Sequence, residues 1–409
     1  MLASSENGGA DSQARAVPKA GGVASRGRDL RVDFFRGLAL LVILTNHLPQ
    51  VVWSDTPWFM KLAPVYWALA DMLNVFVFLS GYVFARVYLR VLAEEGALAY
   101  TGKVLSRCGH LYVTHLASLF VALTITGTLA PGNHRLWEEL FLAPVLEKPA
   151  EMLALIGTLR YMPVFFDILP LYIVLILITA PLIVLMRRRP YAACGISLAL
   201  YGATQGYFAT LGEVPVSGEW ISRMNKFAHP LAWQLLFFAG AVLSTHGPAV
   251  MARLHRPAVT RLSIGLIGGV ALLRVLTAAG LEISWLSSLF GGHVLAGKAG
   301  LGPLRLLYFM LAVYLVAIGT RAASPWWRRK ELAPLVWCGQ HSLAVFVFGL
   351  VGTYLAAAAT GGKLLYVEAP WALLWIPLGL AGSVAVGAYL HWKRVPQAVR
   401  PFRSDIPFA

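Results

Sequence analysis

From Phe34 onward, long apolar runs alternate with short polar connections. Ten runs are long enough to cross a bilayer as helices, near 34–53, 72–92, 110–129, 164–186, 191–211, 229–245, 262–280, 304–320, 333–357 and 370–391. Several contain Gly or Pro, which membrane helices tolerate because neighbouring groups re-satisfy the freed backbone. The pattern predicts an all-α polytopic membrane protein with about ten transmembrane helices. Residues 1–30 are rich in Gly, Ala and Ser, lack hydrophobic periodicity and read as a disordered cytoplasmic tail. Residues 31–394 form the transmembrane domain, and 395–409 a second cytoplasmic tail. No cleavable signal peptide is expected, since no cleavage site follows the first apolar run. The longest outer loop, about Pro131 to Pro163, is expected to carry a short helix near Ala150–Thr158. No internal repeat is visible, which disfavours a transporter built from inverted repeats.

Composition agrees: 58% of residues are hydrophobic and 13% charged, which excludes a soluble globular protein of 409 residues. The net charge of +15 invites a nucleic-acid reading. The basic residues instead recur in short clusters between apolar runs, as in cytoplasmic loops. With the N-terminus inside and strict alternation, 23 of the 34 basic residues fall inside and eight outside. The remaining three, Arg36, Arg274 and Arg305, lie at membrane depth. This asymmetry predicts ten spans with both termini cytoplasmic. Cys108, Cys194 and Cys338 are few, odd in number and close to predicted helices; they read as small apolar residues, not a disulfide or metal set.

Charges in a membrane are costly, so the polar residues of the spans are the candidates for chemistry. Arg36 and His47 stand eleven residues apart, within about 20° of one helix face and roughly 16 Å apart along the axis. Arg36 has two other readings, snorkelling to the interface or pairing with Asp33, and His47 has one, as an interfacial histidine. Asn46 adjoins His47. In the second span Asp71 and Asn74 share a face at the outer end, where a helix cap is the alternative; Arg86 and Arg90 lie at the inner end. Asp167 opens the fourth span, Lys226, Trp233 and Gln234 the sixth, and Lys298 and Arg305 the eighth. All suit an outward cavity that binds substrate. Arg86 and Arg90 of the second span, Arg107 and His115 of the third, and Gln340, His341 and Ser342 of the ninth suit instead an inner mouth for a phosphorylated, adenine-bearing ligand; headgroup contact is the alternative. A metal site lacks a carboxylate or cysteine spaced to complete it.

The segments "DFFRGLALLVILTNH", "VFVFLSGYV", "LYVTHL", "DILPLYIVLI", "AHPLAWQLLFFAGA", "LGPLRLLYF" and "GQHSLAVFVF" occur in that order from Asp33 to Phe348. On them the chain resembles, over Arg31 to Arg394, the OpgC family of osmoregulated periplasmic glucan succinyltransferases. That family is related to the acyltransferase family 3 membrane proteins. Two departures stand out: "FAHP" replaces Phe-Asn-Pro, and "GKAGLGP" replaces Asp-Lys-Thr before Leu-Gly-Pro. Related acyltransferases carry an arginine, ten intervening residues and a catalytic histidine on the first span, which by resemblance maps to Arg36 and His47.

The resemblance implies an inner-membrane, multi-pass O-acyltransferase. Its donor is cytoplasmic acyl-CoA, with succinyl-CoA ahead of acetyl-CoA, and its acceptors are hydroxyls of a periplasmic glucan. Membrane lipid is the other partner and no metal is expected. His47 is the reactive residue, with Asp71 or Asp167 orienting its imidazole. Arg36 or Arg305 pairs with a succinyl carboxylate or steadies developing charge. Direct transfer and a histidine-bound acyl intermediate both remain open. Two other classes use the same residues differently: a permease or flippase for a glycan or organic acid, in which Arg36 and His47 bind without reacting, and a scaffold for a glucan synthase.

Overall fold

A computed structural model describes residues 28–55, 68–210, 217–278, 295–320, 324–363 and 370–394. Both expected tails lie outside the described residues, except Arg28, Asp29 and Leu30. Those three belong to the fold: Asp29 caps the first helix, and Arg28 pairs with the buried carboxylate of Asp33.

The described residues are helical and contain no strand. In chain order the helices are α1 (Leu30–Val52), α2 (Met72–Glu94), α3 (Gly96–Leu129), α4 (His134–Glu139), α5 (Ala143–Glu147), α6 (Pro149–Gly157), α7 (Ile168–Arg188) and α8 (Pro190–Thr210). There follow α9 (Trp220–Lys226), α10 (Pro230–Leu254), α11 (Pro257–Ala278), α12 (Pro303–Gly319), α13 (Ala333–Gln340), α14 (Ser342–Thr360) and α15 (Trp375–Arg394). Every predicted run contains a helix. By length and composition eight helices are apolar enough to span a bilayer. The helix α8 is absent from the eight because Ser, Thr, Gln and Gly dilute its apolar content, and α12 because it has 17 residues. The protein is a multi-pass, all-α membrane protein.

The structure alters three boundaries. The third run is not a 20-residue span but part of a 34-residue helix. Residues 96–109, expected in a connection, extend α3 beyond the apolar zone after a tight turn at Gly96, whose φ of 86° suits glycine. The ninth run is not one helix: it breaks at His341 (φ −113°, ψ 33°) into α13 and α14. Broken helices at membrane depth are tolerated where they line a cavity, and this break does. The helix of the fourth run, α7, starts at Ile168 instead of 164, because Val164 to Asp167 form a turn with Phe165 at φ 67°. The short helix expected near Ala150–Thr158 is α6, and α4 and α5 precede it.

Tight packing at four glycines sets the core. α2 lies on α10, where a Cβ on Gly81 would stand 1.8 Å from the Phe237 carbonyl oxygen and one on Gly240 2.0 Å from that of Phe78. α1 lies on α13 in the same reciprocal way: a Cβ on Gly37 would stand 1.9 Å from the Leu335 carbonyl oxygen and one on Gly339 1.7 Å from that of Asp33. Small residues let membrane helices approach backbone to backbone, where dispersion is strongest. These contacts clamp α1 and α2, which carry Arg36, Asn46, His47, Asn74, Arg86 and Arg90. α11 stands apart, its apolar side chains largely exposed as a lipid-facing surface.

Gly81→Ala and Gly240→Ala each force backbone apart and are expected to cost about 1–3 kcal/mol. Thermal unfolding in detergent reads this as a lower midpoint. Gly102→Ala, whose Cβ meets nothing within 4 Å inside the same kind of helix, does not lower the midpoint, since alanine is the better helix former.

Candidate functional site

The start of α1 and the end of α15 mark the basic end of the bundle. There a cavity of about 1050 Å³ opens between α1, α2, α3, α14 and α15. Arg107, Gln340, His341 and Ser342, all expected at an inner mouth, line it, and Arg36 does as well. Lys393 and Arg394 line it too. Sequence reasoning missed these two as site residues. They end the last span as "HWKR", which reads as any cytoplasmic loop, and only the fold returns α15 to α13 and α1. Arg86 and Arg90 line an adjoining cavity of about 480 Å³ that shares Arg36 with the first. The cationic lining suits an anionic, phosphate-bearing ligand.

Arg36 does not pair with Asp33, and it does not snorkel. Asp33 is 3% exposed, and both its oxygens are taken by Arg28. Arg36 turns inward instead: its Nη2 donates to Ser342 Oγ at 2.6 Å, its guanidinium lies 5.8 Å from the Phe76 ring, and its buried Nε has no partner. The break at His341 frees Ser342 to start α14 beside Arg36.

His47 lies toward the opposite end, stacked on Phe165 with ring centroids 4.0 Å apart and planes 17° apart. A bulky residue in the left-handed region is a genuine outlier, and such strain persists where the surroundings enforce it. Here the strained turn delivers a flat ring against the imidazole. The charges acting on His47 are, in order, Asp167, Lys298 and Asp71. No described residue hydrogen-bonds to the imidazole.

Each of these charges has its own partner. Asp167 Oδ1 accepts from Arg223 Nη2 at 2.8 Å, in a pair almost wholly buried. The Arg223 guanidinium lies 4.2 Å from the Phe227 ring. Asp71 meets Lys298 Nζ at 2.8 Å. Asp71 also caps α2: its Oδ1 accepts the Leu73 and Asn74 N–H groups, while Asn74 Oδ1 accepts the Asp71 N–H. The cap reading of Asp71 therefore holds, and the same carboxylate is ion-paired with Lys298. Neither carboxylate hydrogen-bonds to His47.

The other expected outer residues divide. Asn46 and Asn74 are near His47 and Asp71, with Asn46 Oδ1 and Asn74 Nδ2 buried and unpartnered. Arg305 donates to the Ala296 carbonyl, and its electrostatic partner is Asp71. Trp233 and Gln234 do not face a cavity. The Trp233 indole, fully buried, donates to the Lys298 and Ala299 carbonyls and so fixes the segment that carries Lys298. Gln234 exchanges hydrogen bonds with Ser197 and ties α10 to α8. Lys226 is exposed. Arg223, one turn earlier, is the cation that turns inward, and its position in a polar connection gave no signal of burial.

His115 is not at the basic cavity. It is fully buried against the Phe166 ring, with both ring nitrogens unpartnered and Asp167 the charge that acts on it. Among the described residues no group of three or more His, Cys, Asp or Glu side chains is placed to hold a metal ion.

The arrangement thus offers a large cationic chamber at one end, a half-buried imidazole between two ion pairs at the other, and one helix, α1, joining them. No curated protein matches the chain, and no solved structure does. A family model described as OpgC protein matches residues 28–395, nearly the whole described fold. The chain belongs to the OpgC protein family.

Proposed function

We propose that the protein is a membrane O-acyltransferase that moves a succinyl group from cytoplasmic acyl-CoA to hydroxyls of a periplasmic glucan. On this reading it sits in the bacterial inner membrane with ten spans and both termini cytoplasmic. The family membership supports acyl transfer. The observation that carries the reading is the single face of α1 that joins Arg36, in the wall of the 1050 Å³ cationic cavity, to His47 between its two ion pairs.

On this reading the phosphates of CoA bind at the basic end, among Arg107, Lys393 and Arg394, with Arg86 and Arg90 adjoining. The thioester extends along α1 toward His47. Neutral imidazole accepts the proton of a sugar hydroxyl as its oxygen attacks the thioester carbonyl. The new C–O bond forms, the C–S bond breaks, and the departing thiolate takes the proton from the imidazolium. Asp167 and Asp71 stabilise that imidazolium through space, and their ion pairs with Arg223 and Lys298 hold both carboxylates in place. Phe165 holds the ring plane. If His47 is instead acylated first, the same groups serve two successive transfers. Lys298 and Arg305 are the cations available to a succinyl carboxylate at the far end.

His47→Ala is expected to lower glucan succinylation by at least about 100-fold. The check is mass spectrometry of periplasmic glucans from cells lacking their own enzyme and expressing wild type or variant at matched membrane levels. Succinyl addition by both forms removes His47 from the chemistry; addition by neither removes the donor or acceptor and favours transport.

Arg223→Met leaves Asp167 buried and unpaired, a loss of about 3–5 kcal/mol. Both the unfolding midpoint and the activity are expected to fall, whereas Lys226→Ala changes neither. For topology, a fluorescent protein fused after Ala409 is expected to fluoresce, and alkaline phosphatase fused within 131–163 to be active.

A further inference from the structure

Arg36 and His47 share a face of α1, yet the spaces beside them are not continuous. α14 runs alongside from the same end, and the bond from Arg36 to Ser342 fixes the register between the two helices. Phe346 is one turn further along α14, about 6 Å beyond Ser342, while His47 is about 16 Å beyond Arg36. A space of about 20 Å³ lies on the near side of Phe346, walled by Arg36, Arg107 and Tyr172. A second of about 20 Å³ lies on its far side, walled by His47, Gly349 and Ser383. The Phe346 ring belongs to the walls of both. Each space holds about one water, too little for a thioester and its acyl chain.

Unpartnered polar groups stand on both sides of this ring. Arg36 Nε is buried without a partner on the near side, and Ser383 Oγ, 1% exposed, is buried without one on the far side. A buried hydroxyl with no partner costs free energy unless something passes or binds there. Apart from Ser383 and the His47 imidazole, the far space is lined by apolar residues. Gly349 lines it as well, and an added Cβ there would reach contact with Leu44 Cδ1 at 3.4 Å.

We propose that Phe346 is the constriction between the donor cavity and His47, and that with Gly349 it determines which acyl chains reach the histidine. The inference rests on the acyl-transfer reading and names the specificity element of that same site. The ring rotates aside for a short chain, whose thioester oxygen passes from Arg36 toward the Ser383 hydroxyl. Longer or branched chains are excluded because the space beyond Phe346 has no room for further methylenes. Enlarging the residue at 346, or adding a methyl at 349, narrows the passage; shrinking residue 346 widens it.

The test compares acetyl-, succinyl-, butyryl- and hexanoyl-CoA as donors for the purified full-length protein with periplasmic glucan. Free CoA release and glucan mass are both read. The hexanoyl-to-acetyl ratio is expected to rise by about tenfold or more in Phe346→Ala, and by less in Phe346→Leu. It falls in Phe346→Trp and in Gly349→Ala. A ratio is used because partial unfolding lowers all donors alike and leaves it unmoved. Opposite shifts from widening and narrowing variants are not produced by a merely structural role. If wild type transfers acyl groups but the ratio stays within about twofold in both Phe346→Ala and Phe346→Trp, the constriction is overturned while acyl transfer stands. If wild type releases no CoA from any donor, acyl transfer falls and the constriction falls with it.

Discussion

A charge held among membrane-spanning helices has to be matched by a nearby partner, because removing it from water costs several kcal/mol that only an opposite charge or good hydrogen bonds offset. The far end of this bundle meets that demand twice around one histidine, with Asp167 on Arg223 and Asp71 on Lys298. The two pairs tie together parts distant in sequence. Asp167 opens α7 and Arg223 belongs to α9; Asp71 caps α2 and Lys298 lies in the segment before α12. Trp233 of α10 then holds the Lys298 backbone from beneath. The setting of His47 is therefore a consequence of how these helices are held, and loosening any one of them would expose an unpaired charge.

The same demand explains why the site was only partly readable from the sequence. Apolar period and length sufficed for the helices, since lipid allows the backbone no other open-ended solution. The Arg36–His47 face followed from helical geometry alone. What failed was the choice among similar residues near span ends. Lys226 and Arg223 are both basic residues in one polar connection, and only the turn of α9 puts Arg223 inward. Trp233 and Gln234 looked like substrate contacts because they are polar residues in an apolar run. A polar group in such a run equally serves to tie helices together, and here it does. His115 was assigned to the mouth by its nearness to Arg107 in the chain, but eight residues of helix carry it about 12 Å away. Lys393 and Arg394 were invisible as site residues because their partner surface lies more than 350 residues upstream, in α1.

Two backbone irregularities, neither visible in hydropathy, shape the ends of the α1 face. At the basic end the break at His341 starts a new helix, and Ser342 in its first turn receives Arg36. At the far end the left-handed Phe165 sets its ring on His47. Each irregularity is held by tight packing nearby. Gly339 presses on the α1 backbone at Asp33, and the Val164 carbonyl accepts the hydroxyl of the buried Tyr354. A regular helix at either place would satisfy the backbone better but would carry Ser342 away from Arg36 or Phe165 away from His47.

That geometry also bears on the choice between transfer and transport. A permease needs a path whose two ends open in turn, with binding groups near its middle. Here the middle of the α1 face is apolar, with Leu40, Ile43 and Leu44 between Arg36 and His47 and the Phe346 ring across the gap. A hydrophilic glycan would have to shed its water there with only Ser383 Oγ to meet its hydroxyls, and each unmatched hydroxyl would cost on the order of 1–3 kcal/mol. A thioester arm is mostly methylene and amide, so it crosses the same stretch with few polar groups to desolvate, the carboxylate of a succinyl end being the one charge that passes, toward Lys298 and Arg305. The large cationic chamber then serves the phosphates of the donor, which never have to leave that end. An apolar throat between a cationic chamber and a reactive imidazole suits the passage of a small acyl group far better than the passage of a sugar.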